Sequence, residues 1–70
     1  MGAIVMSVTQ ELMLAKEQAT DIKSVTYWWK AIKTMEYLGA LCIKGNYRNY
    51  YKTGAGRYYY KEITLEDYKR

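Results

Sequence analysis

Seventy residues with a net charge of +4, half of them apolar and about a quarter charged, make one folded domain (1–70) with no room for a second. One cysteine and no histidine exclude an internal disulfide framework, the usual zinc sites, Ser-His-Asp and Cys-His nucleophiles and a histidine pH switch. No enzyme, cofactor or metal site is therefore expected.

The start, MGAIVM, has no basic region and no cleavage signature, and no stretch approaches the roughly 18 apolar residues of a membrane span. An intracellular, cytoplasmic protein away from membranes is expected, with residues 1–6 as an arm whose Ala3–Met6 could form a short strand. Ser7-Val8-Thr9-Gln10 has the form of a capping box. Val8, Leu12, Ala15 and Ala19 then recur at helical spacing, with Met13 and Leu14 widening the stripe, which predicts a helix over about 8–19. Thr20 to Lys23 reads as a turn anchored inward by Ile22. Ser24 is a cap for a second helix over about 24–38, stopped by Gly39. Trp28, Ala31, Ile32, Met35 and Leu38 form its apolar stripe, and Trp29 falls at the border.

After Gly39 the period changes to two. Residues 41–52 and 57–65 read as a hairpin around Gly54-Ala55-Gly56, with 66–70 as a tail. Pairing Thr53 with Arg57 sets Tyr51 opposite Tyr59, Arg48 opposite Glu62 and Tyr47 opposite Ile63. Ile43, Tyr47, Tyr51, Tyr59, Ile63 and Leu65 are then the apolar, buried face. Lys44, Asn46, Arg48, Tyr50, Lys52, Tyr58, Tyr60 and Glu62 form the outer one.

Charge is concentrated in the centre. Residues 23–61 hold eight lysines and arginines against Glu36 alone, whereas 1–22 and 62–70 are each mildly acidic. Such a block suits a polyanion, because neutralising phosphates releases counterions.

Helix, short turn, longer helix ending in Gly, then hairpin is an order that resembles a winged helix-turn-helix. WKAIKTMEYLGAL at 29–41 carries the resemblance, being similar to the end of a recognition helix and the entry to a wing. The resemblance implies a small α+β DNA-binding regulator of transcription or recombination, of the kind found in phages, viruses and plasmids. It implies that Lys23, Ser24, Thr26, Tyr27, Lys30 and Lys33 approach double-stranded DNA from the recognition helix. Lys44, Arg48, Lys52, Thr53 and Arg57 would do so from the wing. The family's usual additional first helix has no room here, and a homodimer would cover the surface left open.

Two other readings compete. Six of the nine tyrosines lie between Tyr47 and Tyr60, interleaved with Arg48, Lys52 and Arg57, which also suits single-stranded nucleic acid stacked on aromatic rings. A third reading is a winged-helix protein-interaction module without DNA binding, since the two tryptophans, the exposed tyrosines and Met1, Met6 and Met13 would suit an interface. Salt separates these, since ionic strength strips an electrostatic complex first.

Overall fold

The computed structural model describes residues 8–70. The elements are α1 (Val8–Gln18), β1 (Thr20–Asp21), a 3₁₀ turn (Ile22–Ser24), α2 (Trp28–Ala31), a second 3₁₀ turn (Ile32–Thr34), β2 (Glu36–Ile43), β3 (Asn46–Lys52), β4 (Tyr58–Ile63) and α3 (Leu65–Lys69). The four strands form one mixed sheet in the order β1-β4-β3-β2, with β1 parallel to β4 and the other pairs antiparallel. The expected Ser7 cap and Ala3–Met6 strand lie outside the described residues. Among the described residues, no helix is long and apolar enough to cross a membrane.

This sheet overturns the winged helix-turn-helix. The predicted helix over 24–38 is absent: Val25 is extended, Tyr27 is left-handed, α2 is one turn long, and Glu36 already belongs to a strand. The local chemistry explains the break. Ser24-Val25-Thr26-Tyr27 supplies β-branched, aromatic and backbone-competing side chains, all middling helix formers. Asp21 captures the start instead, its Oδ1 accepting from the Lys23 N–H at 3.0 Å. Ser24 donates its hydroxyl backwards to the Asp21 carbonyl at 2.7 Å rather than capping a helix ahead of it.

The two-stranded wing is corrected as well. Residues 41–52 do not form one strand, because Lys44 and Gly45 both take positive φ (51° and 81°) and turn the chain between Ile43 and Asn46. Two such residues define the type I′ turn whose twist matches the flanking strands. β2 therefore starts at Glu36 and pairs with β3 along its length, broken by one bulge between Tyr37 and Gly39. The tail is not a tail: Thr64 accepts from the Asp67 N–H at 3.2 Å, capping α3, and Tyr68 packs on Tyr47 with ring centroids 4.9 Å apart.

Two expectations hold in detail. α1 covers 8–18, with Ala15 buried and Leu12 and Ala19 against the core. The β3–β4 register is the expected one, with Tyr51 opposite Tyr59, Arg48 opposite Glu62 and Tyr47 opposite Ile63. A three-residue loop closes it: Thr53 N–H donates to the Arg57 carbonyl at 2.9 Å, and Thr53 Oγ1 accepts from the Arg57 N–H at 3.0 Å.

The buried face is nevertheless the other one. Tyr50 is 1 % exposed and packs with Ala15 and Leu38, while Tyr58 and Tyr60 lean on that cluster. Alternation alone could not choose, since Tyr50, Tyr58 and Tyr60 balance Tyr47, Tyr51 and Tyr59. The Lys44-Gly45 turn decides, because it returns Leu41 and Ile43 to the Tyr50 side, where α1 lies. Ile22 is fully buried apart from this cluster, where its 3₁₀ turn meets β4.

Gly39 sits at the bulge with φ of 138°, a region that L side chains rarely adopt, and an added Cβ would lie 3.3 Å from Leu12 Cδ2. Gly39→Ala is expected to lower stability by about 1–3 kcal/mol through backbone strain and displacement of α1. Urea unfolding followed by circular dichroism measures it, and an unchanged midpoint would show that the bulge relaxes freely.

Candidate nucleic-acid interface

The cations predicted for a wing do not share a surface. Arg48 lies on the core side, its guanidinium carbon 4.1 Å from the Tyr60 ring centroid and its Nη2 3.8 Å from Glu62 Oε1. Lys52 is on the same side, its ammonium 2.8 Å from Glu11 Oε1. The hydrogen bond and charge of Glu11 raise the Lys52 pKa above its ordinary value of 10.5. Both cations hold α1 and β4 to β3 and are spent there. Thr53 closes its own loop. Lys44 and Arg57 remain exposed at opposite ends of β3. Arg57 lines a shallow cavity of about 390 Å³ with Gln18, Thr20, Gly56, Tyr58 and Tyr59.

The segment predicted as a recognition helix behaves differently. β1 and β2 are the two edges of the sheet, so residues 22–35 must cross from one to the other. Lys61 alternates with the core-facing Tyr60, and its ammonium lies 5.6 Å from the Trp28 ring centroid. That places Trp28 on the side of the sheet away from α1.

On this crossing three consecutive aromatic residues form a string. Tyr27 and Trp29 meet edge to face with centroids 5.7 Å apart, and Trp29 meets Trp28 in the same way at 5.9 Å. Lys30 closes one end, its Nζ 5.5 Å from the Tyr27 centroid, and Lys61 closes the other. Trp28 is half-buried, but Tyr27 is 61 % exposed and Trp29 51 %. The expected core stripe of this segment is thus only partly realised: Leu38 alone is buried, and Trp28, Ala31, Ile32 and Met35 are half-buried.

The electrostatics are one-sided. From Ile22 to Met35 the chain holds Lys23, Lys30 and Lys33 and no acid, and all three lysines are exposed. None of the three has an ion-pair partner among the described residues. Tyr27 is itself unusual, with φ of 56° and ψ of 42°. A bulky side chain in the left-handed region costs about 1–2 kcal/mol, so something must hold it there. Part of the answer is local, since its carbonyl accepts from the N–H groups of Lys30 at 2.9 Å and Ala31 at 3.2 Å, starting α2.

Of the six residues predicted on the recognition helix, Lys23, Tyr27, Lys30 and Lys33 thus remain on one acid-free crossing. Ser24 and Thr26 belong to its turns, and Ser24 is used in a local bond. Sequence reading missed Trp29 as an exposed ring and Lys61 as a partner. The signal for Trp29 was its border position between two faces. Nothing in the sequence brought Lys61 to Trp28.

No protein-family profile, no curated protein and no solved structure matches this chain.

Proposed function

We propose that this protein binds single-stranded nucleic acid, stacking bases on Tyr27 and Trp29 and holding phosphates with Lys23, Lys30, Lys33 and Lys61. One observation carries the reading: two aromatic rings, each more than half exposed, stand in a string bracketed by lysines on a segment without acids. Unstacked bases offer such rings their π-faces, and lysines beside them track the backbone. A strained aromatic residue kept in the open, where it buries little, fits a ligand-facing role better than a packing role.

A single strand is favoured over a duplex by shape. The four residues of α2 are too few to serve as a recognition helix in the major groove. An exposed stacking surface, by contrast, gains most from bases that are already unpaired.

The test is a tryptophan-fluorescence titration with an oligothymidylate and with a blunt duplex of equal length, across a range of salt. The strand is expected to quench Trp29 and to bind more tightly than the duplex. Four phosphate contacts predict a log–log salt slope of about −3, at roughly 0.7 per contact for single strands. Absence of quenching at low salt, or preference for the duplex, would sink the reading. Capture of a protein that resists high salt would point to a protein interface instead.

A further inference from the structure

β2 is an edge of the sheet, and among the described residues nothing pairs with its outer side. The opposite edge, β1, is two residues long, which is one of the ways proteins blunt an edge. β2 is eight residues long, and from Tyr37 to Ile43 it carries no charge. The bulge twists its first half; Ala40 to Ile43 pair regularly with β3.

The turn fixes which groups point outward. In a two-residue hairpin the flanking residues, here Ile43 and Asn46, exchange both hydrogen bonds, and bonded and non-bonded pairs then alternate along the ladder. Leu41 and Gly39 accordingly direct their N–H and C=O groups to β3, and Ala40 and Cys42 direct theirs away from it. Cys42 is exposed. The charges that bound this stretch have opposite signs: Glu36 at its start, which lies opposite Lys52 in the ladder, and Lys44 just past its end, both exposed and neither in an ion pair among the described residues.

We propose that β2 is a self-association edge, through which two copies pair antiparallel with Ala40 opposite Ala40. That arrangement pairs the outward N–H and C=O of Ala40 with those of its copy and sets Cys42 opposite the bulge at Leu38. It also sets the Glu36 end of each copy beside the Lys44 turn of the other, so two opposite-charge contacts form by symmetry. A parallel partner strand of the same sequence would bring like charges together instead, so the charge pattern selects the antiparallel dimer. The product is a continuous eight-stranded sheet with both α1 helices on one side. This inference does not depend on nucleic-acid binding.

Sedimentation equilibrium from micromolar to millimolar protein tests it, with circular dichroism to check that each variant folds. Wild type is expected to dimerise. Lys44→Glu sets like charges together twice and is expected to weaken the dimer roughly tenfold. The double variant Glu36→Lys with Lys44→Glu is expected to restore it. Ala40→Pro removes an N–H that points away from β3, so it is expected to give a folded monomer. A wild-type chain that stays monomeric at millimolar concentration overturns the proposal. So does a dimer indifferent to Ala40→Pro and to the charge exchange, which would place the contact on another surface. Slow hydrogen exchange at the Ala40 and Cys42 amides of a monomer would overturn it too, by showing the edge covered from within the chain.

Discussion

Tyr50→Ala is expected to leave the protein largely unfolded at room temperature. Among the described residues, Tyr50 is the largest fully buried side chain, and the buried cluster it completes holds Ala15 and Leu38 besides it. Leu12, Leu41, Ile43, Tyr58 and Tyr60 all lean on that cluster, so its removal undercuts α1 and three strands together. Truncating a buried aromatic ring costs about 3–5 kcal/mol, and a domain this small has a total stability on the order of 5 kcal/mol.

Tyr50→Phe is expected to act in the opposite direction. The Tyr50 hydroxyl is buried and has no hydrogen-bond partner among the described residues. Such an orphan costs about 1–3 kcal/mol, and phenylalanine keeps the ring and its neighbour Tyr60, whose centroid is 6.2 Å away. Urea denaturation of the two variants separates packing from polarity. A Phe variant less stable than wild type would mean that the hydroxyl is satisfied in solution, by water or by a shift of α1.

What the sequence could and could not reveal follows from which forces are local. α1 was legible because its apolar residues recur at helical spacing. The β3–β4 register was legible because a glycine-tipped loop and the Arg48–Glu62 pairing point to the same alignment. The buried face of that hairpin was not, because both faces carry three tyrosines and the deciding residues, Leu38, Leu41 and Ile43, come from a third strand. That strand was hidden twice. Met35 and Leu38 continue the helical spacing of Trp28, Ala31 and Ile32, and Leu38-Gly39 reads as a helix stop, although Gly39 takes its positive φ inside a β-bulge. Lys44-Gly45 is also a weak turn signal beside Asn-Gly, since lysine has no special ease at positive φ. The candidate site was half legible. Lys23, Tyr27, Lys30 and Lys33 were expected on an exposed face, whereas the exposure of Trp29 and the approach of Lys61 to Trp28 depend on how the crossing lies over the sheet.

Tyr27 and Trp29 therefore allow a test in which stability and binding move apart. Trp29→Ala is expected to weaken binding of oligothymidylate roughly 5- to 150-fold, the range for losing one stacked base. Its effect on stability should be small, because half of the side chain is already in solvent. Tyr27→Gly is expected to weaken binding by a similar factor while raising stability by up to about 1 kcal/mol. Glycine adopts the left-handed conformation without strain, and its greater freedom in the unfolded chain offsets only part of the gain. Fluorescence anisotropy with a labelled strand reads the first effect, and thermal unfolding reads the second. If Tyr27→Gly lost stability as well as affinity, the ring would be packing that the fold needs, and its exposure would no longer argue for a ligand. If it gained stability and kept full affinity, the bases would lie elsewhere. The tyrosines of the sheet face away from α1 would then be the next place to look, beginning with Tyr37, which is 55 % exposed and meets Tyr51 at a tilt with ring centroids 5.5 Å apart.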